Sequence, residues 1–161
     1  MILPASHKFL RIIYTSINRI DLGTLAGRTE LQQLAARAQG RNRDAAISGM
    51  LIHNESNFGQ LLEGPAAAVE STMERIILDP RHTDIAVLEC RPTDQRIFET
   101  WVSGYVGPDA AYQQNPSPQL RAALCTAAVL PGDVFTKMFD LAESGRLADN
   151  LQPKPPHDLA I

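Results

Sequence analysis

Phe58-Gly59-Gln60-Leu61-Leu62-Glu63-Gly64-Pro65 is the stretch on which the fold turns. An apolar run this short, closed by a Gly-Pro step, reads as a strand rather than a helix. Pro65 then opens a helix, because its fixed φ suits the first helical position and no donor is needed there. The period of two puts Phe58, Gln60 and Leu62 on one face. Gln60 is thus a polar amide in an apolar row, which costs roughly 1–3 kcal/mol unless it finds partners. Upstream, residues 47–54 form a second apolar run, and Asn54-Glu55-Ser56-Asn57 between the two is a hairpin signal made of turn-favouring residues. Downstream, Val69, Met73, Ile76 and Ile77 supply the buried stripe of a helix that Asp79-Pro80 closes.

Further out, residues 9–15 are β-branched and aromatic, and read as a buried strand with Tyr14 at its end. Thr29-Glu30-Leu31-Gln32 has capping-box spacing, and Leu31, Leu34, Ala35 and Ala38 follow at helical intervals toward a stop near Gly40. Residues 83–91 and 96–103 read as a second hairpin, with Pro92-Thr93-Asp94 at its turn. The order βαββαββ predicts an α+β, ferredoxin-like sheet with two helices on one face. Leu10, Ile12 and Tyr14 point one way from the first strand, Phe9, Arg11, Ile13 and Thr15 the other, so both faces carry apolar groups. Beyond a proline-rich linker, residues 120–129 and 133–142 read as two short helices that cover the second face. The expected organisation is a domain over 9–105, a helical extension over 106–150 and a disordered tail over 151–161.

The chain's 161 residues suit one ordinary domain. A net charge of −3 offers no basic field to draw nucleic acid or an anionic membrane. Cys90 and Cys125 lack a CxxC spacing and are expected to be buried free thiols. His7, His53, His82 and His157 have no metal-ligand spacing, so no metal is assigned. Neither a leader nor a membrane-length apolar run is visible, which points to the cytoplasm. No P-loop, GxGxxG or Ser–His–Asp order is present.

Tyr14 and Gln60 are the first candidates for chemistry, since the first and third strands of such a sheet are central neighbours. Their meeting has two readings: a buried hydrogen bond that fixes packing, or a relay from phenol to ligand through an amide that both donates and accepts. Spacing does not choose between them. Asn42, after the first helix, is either a loop residue or a reader of a heterocycle's donor–acceptor edge. Arg41, Arg43 and Arg81 are solvated cations or partners for phosphates or a ring carbonyl, and His82 shares the ambiguity.

Arg11-Ile12-Ile13-Tyr14-Thr15-Ser16, Ala36-Arg37, Asn42, Ile47-Ser48-Gly49-Met50-Leu51, residues 58–65, Asp79-Pro80-Arg81-His82 and Phe98-Glu99-Thr100-Trp101 together resemble the BLUF family, the sensors of blue light using flavin. The likeness covers about residues 9 to 105. It implies FAD, or sometimes FMN, held without a covalent bond, its ring inserted between the two helices. It further implies Tyr14 as the electron and proton donor, Gln60 as the switching amide and Asn42 as the group at the ring edge, with Arg81 and His82 beside the flavin. Excitation would then drive electron transfer from Tyr14 and rearrange the hydrogen bonds of Gln60, leaving a dark-reverting, red-shifted state. Trp101 and Ser103 fall on the family's signal relay, where Trp-x-Met-Gly has become Trp101-Val102-Ser103-Gly104. Ala46 stands where glycine is frequent, and Arg41 where asparagine or histidine is common.

The implied protein is a photoreceptor and no enzyme, its output a changed interaction with a downstream effector protein, expected within a homo-oligomer, and with neither nucleic acid nor membrane as partner. The competing readings are a small hydrolase of acylphosphatase type, which would need a phosphate-cradling loop, and a light-insensitive interaction module. An RNA-binding sheet would need exposed aromatics and a basic face.

Overall fold

A computed structural model describes residues 7–53 and 55–105. The chain runs β1 (Phe9–Asn18), α1 (Leu25–Asp44), β2 (Ser48–His53), β3 (Asn57–Gly64), α2 (Ala66–Ile77), β4 (His82–Thr93) and β5 (Trp101–Tyr105). The βαββαββ order matches the expectation, and the five strands form one sheet ordered β4-β1-β3-β2-β5. The proposed C-terminal helices, the linker, the tail, Cys125 and His157 lie outside the described residues.

Apolar side chains on one face of the sheet, Ile12, Tyr14, Leu51, Phe58 and Leu62, pack with Leu31 and Leu34 of α1 and Val69 and Met73 of α2. Fully burying a side chain of this size contributes roughly 1.5–3 kcal/mol, so this layer dominates the stability of the two-helix face. On the opposite face Ile13, Met50, Ile52 and Leu61 are buried as well.

Several local expectations are corrected. The first helix starts earlier than the Thr29 spacing suggests, because the Thr24 hydroxyl accepts the Gly27 amide at 3.0 Å and caps it. It also runs past Gly40. Its end comes where Ala46 takes a left-handed backbone (φ 55°) and the amides of Ala45, Ala46 and Ile47 close on the carbonyls of Arg41, Arg43 and Asn42. A Cβ is strained in this conformation, and glycine would avoid that strain. Asn42 therefore belongs to the last turn of α1, and Tyr14 is in the middle of β1, which continues to Asn18. Pro65 is the N-cap of α2, Ile77 is exposed rather than buried, and Cys90 is an exposed thiol on the edge strand β4.

The largest correction concerns the second hairpin, which does not form. β4 pairs with β1 at one edge of the sheet, while β5 runs parallel to β2 at the other. Residues 94–100 cross between the edges because the end of β3 holds them. Glu63 is wholly buried and takes the Arg11 guanidinium at 2.6 Å on one side. On the other it accepts the amides of Ile97 (2.8 Å) and Phe98 (3.1 Å). Arg96 adds bonds to Ser48 Oγ and to the carbonyls of Glu63 and Ala46. Apolar periodicity marks both segments as strands and says nothing about which neighbour each will choose.

Glu63→Ala would leave Arg11 with only the more distant Glu89 carboxylate (3.7 Å) and strip the amides of Ile97 and Phe98 of their acceptor, so it should cost about 3–5 kcal/mol in urea unfolding followed by fluorescence of the single tryptophan. A loss under about 1 kcal/mol would mean that Glu63 does not hold the crossing segment. Ala46→Gly, which relieves the left-handed strain, should be neutral or stabilise by up to about 1 kcal/mol in the same assay.

Candidate functional site

Strand pairing assembles the site. β1 and β3 are antiparallel with Tyr14 opposite Gln60, β3 and β2 set Gln60 opposite Leu51, and β2 and β5 set Leu51 opposite Ser103. Cross-strand neighbours lie on the same face, so this row runs across the sheet beneath the helices. The pairing of β1 with β4 is irregular between Ile13 and Tyr14 and again between Thr15 and Ile17. Such bulges re-aim side chains locally.

Tyr14 is completely buried and donates its hydroxyl to Gln60 Oε1 in a short hydrogen bond. Above them, α1 and α2 border an open cleft. Gln60 lines this cleft and Tyr14 does not, so the amide stands between the phenol and the open space. Asn42, from the last turn of α1, is buried and lines the same cleft. Neither the Asn42 carboxamide nor Gln60 Nε2 is hydrogen-bonded to another described side chain.

Electrostatics keep the floor of the site neutral. Burial pushes the Tyr14 phenol far above its ordinary range, and the charge of Asp79 adds to the effect, so the hydroxyl remains a donor at any physiological pH. Burial pulls His82 below its usual value; Asp79 opposes this and Arg81 reinforces it. Ser16 Oγ lies 2.9 Å from His82 Nδ1, and the imidazole packs 4.4 Å from the Phe58 ring. Arg81 is committed to Asp79 through Nε (2.8 Å) and Nη2 (2.6 Å). That hydrogen-bonded pairing holds the Asp79 carboxyl below its usual range against the opposing effect of burial.

Of the residues singled out in the sequence, Asn42, Gln60, Arg81 and His82 meet at the cleft, with Tyr14 directly behind. Arg41 lines it too, whereas Arg43 lies at a second hollow beside β5. Trp101 is buried in the core and Ser103 is partly buried beyond Leu51; neither reaches the cleft. Sequence reasoning missed Thr72, Asp79, Arg37 and Arg75 as lining residues. Thr72 carried a usable signal, a polar residue within the Val69–Met73–Ile76 stripe. Asp79 carried another, since it sits two residues before an arginine that can fold back on it.

A family model described as "Sensors of blue-light using FAD" matches residues 9–104. Photoactivated adenylate cyclase subunit beta of Euglena gracilis is 38% identical over 71 residues, covering 44% of this chain and 8% of that protein. The blue light- and temperature-regulated antirepressor BluF of Escherichia coli is 36% identical over 69 residues, 43% of this chain and 17% of the relative. The chain thus spans only a small part of these curated relatives. Among solved structures, Klebsiella pneumoniae BlrP1 with FMN and cyclic diGMP is 31% identical with a TM-score of 0.53, covering 61% of this chain and 25% of that one.

Burial also holds His53 down to about 4 from an ordinary 6.5. With His53 and His82 both depressed, the unfolded chain binds more protons than the folded one below about pH 6.5. Stability is therefore full above that pH and falls as pH drops toward 4, by about 2 kcal/mol from pH 7 to pH 5 for His53 alone. Urea midpoints at the two pH values should show this fall, and His53→Gln should remove the His53 share; a dependence unaltered by that substitution would contradict the assignment.

Proposed function

The chain belongs to the family of sensors of blue light using FAD, and on that premise we propose that light is registered here by the Tyr14–Gln60 pair beneath a flavin held between α1 and α2. The observation that carries this reading is the hydrogen bond from a fully buried phenol to an amide whose other end opens into a cleft. The residues present fit the ring of a flavin. Leu34 and Ile76 line the cleft with apolar surface, which suits the face of a planar ring. Asn42 and Gln60 offer carboxamide groups with unused capacity to both donate and accept, which is what the edge of such a ring requires. His82 borders the same space, and Arg81 is fixed there by Asp79.

Bound flavin supplies the absorption of blue light and, when excited, an acceptor for one electron. Tyr14 gives up that electron. Its Oη proton, made acidic by the loss, has Gln60 Oε1 as its acceptor. Gln60 then turns its carboxamide, a motion with little to oppose it because Nε2 is not tied to another described side chain. Return of both the electron and the proton would restore neutral Tyr14 and leave the amide in its second arrangement, a local two-state contact able to bias a larger element. Asn42 keeps the ring edge in register throughout.

The matched domain is a sensor, and its output, in this reading, is a changed contact with a downstream effector protein rather than turnover of a substrate. The named relatives support an effector role, since one is an adenylate cyclase and another an antirepressor. The sensor domain would occupy residues 9–105, with residues 106–150 as a helical extension and 151–161 as a tail. Trp101 and Ser103 would carry the change along β5 in a cytoplasmic homo-oligomer. Among the described residues no helix is long and apolar enough to cross a membrane.

Purified protein should be yellow, and blue light should shift its flavin bands to longer wavelength and let them relax in the dark. Tyr14→Phe should keep the colour and lose the shift in difference absorption spectra. A photocycle that survives this substitution would remove Tyr14 as the donor.

A further inference from the structure

The hollow beside β5 gathers donors that the fold leaves unused. The end of α1, the start of β2 and the segment leading into β5 border it, and Arg43, Ser48, Arg96, Glu99 and Trp101 are among its lining residues. Trp101 is buried, yet its indole Nε1–H has no acceptor among the described residues. A buried donor without a partner destabilises a fold, so such an exception points to an acceptor that arrives from outside. Arg96 borders the same hollow as a cation held by neutral groups: Nη1 donates to Ser48 Oγ and the Glu63 carbonyl, and Nη2 to the Ala46 carbonyl. No described carboxylate forms an ion pair with it, in contrast to Arg11, which Glu63 neutralises. Arg43 is paired only with Asp44, its neighbour in sequence, and both are largely exposed, so that contact offsets little of its charge. Acceptors at this end of α1 are already taken. The carbonyls of Arg41, Asn42 and Arg43 receive the amides that close the helix, and that of Ala46 receives Arg96.

We propose that this hollow is a carboxylate-binding site, in which the Trp101 indole donates to one oxygen while Arg96 and Arg43 balance the charge. The site is separate from the cleft between α1 and α2 and does not depend on the flavin reading. An ionised carboxyl group only accepts hydrogen bonds, which is what a lining of donors requires. Its bonds to guanidinium groups are charge-assisted and roughly twice as strong as neutral ones. A cation would be repelled by the arginines, and an apolar ligand would leave the indole N–H unsatisfied. Two arginines stand against the single carboxylate of Glu99 in the lining, so one negative charge suffices to balance it. Free organic acids and the acidic side chains of other proteins share this chemistry, and the test separates them.

Trp101 is the only tryptophan of the chain, so a proton–nitrogen correlation spectrum of the full-length protein carries one indole N–H resonance. Sodium acetate at neutral pH should move that resonance downfield in a saturable titration. Sodium chloride at equal ionic strength, and acetamide, which has the shape without the charge, should leave it nearly in place. Arg43→Gln, at an exposed position, should weaken acetate binding about two- to fivefold. A second probe, glutamate blocked at both its amino and α-carboxyl groups, presents the side-chain carboxylate as a protein does. Tighter binding of this probe than of acetate assigns the site to a protein side chain, and equal or weaker binding assigns it to a free acid. An indole resonance that answers neither probe, or that answers chloride as strongly as acetate, would overturn the proposal. Unchanged affinity in Arg43→Gln would overturn the charge-balancing role given to that residue.

Discussion

The register between β1 and β3 is the constraint on which the rest of the molecule depends. It is pinned from both faces. On the helix side Tyr14 meets Gln60; three residues away along each strand, on the opposite side, Arg11 meets Glu63. A slip of one residue would set Gln60 against Ile13 or Thr15 and Glu63 against Leu10 or Ile12, stranding a buried amide and a buried carboxylate together. Each interaction therefore protects the other, although they share no atoms. Buried polar groups specify geometry in this way because their penalty when unpaired exceeds their gain when paired.

Glu63 also explains the shape of the sheet beyond its central pair. The carboxylate faces three donors from two distant parts of the chain, the Arg11 side chain and the amides of Ile97 and Phe98. That grip carries the chain across the sheet end and delivers Trp101 to the edge beside β2. The strand β3 and the edge strand β5 are consequently linked in two places: through Leu51, between Gln60 and Ser103, and through the bonds at Glu63.

Charge is sorted within the same small volume. Deep in the site, burial keeps Tyr14 protonated and favours a neutral His82, and Arg81 is balanced by Asp79. At the mouth of the cleft, Arg37, Arg41 and Arg75 form no ion pair with a described carboxylate. A low-dielectric floor suits hydrogen-bond switching, because each donor and acceptor there counts for more than it would in water.

Sequence by itself determined the alternation of strands and helices, since a period of two or of nearly four along one segment reports which side of that segment is buried. It also isolated Gln60 as an amide in an apolar row and, through the combined motifs, pointed to the family. Tertiary structure alone decided that residues 94–100 cross the sheet instead of turning back and that Cys90 is exposed. The crossing depends on atoms brought together from separate segments. Periodicity is a property of one segment, whereas the buried carboxylate of Glu63 selects its partners only after the strands have paired.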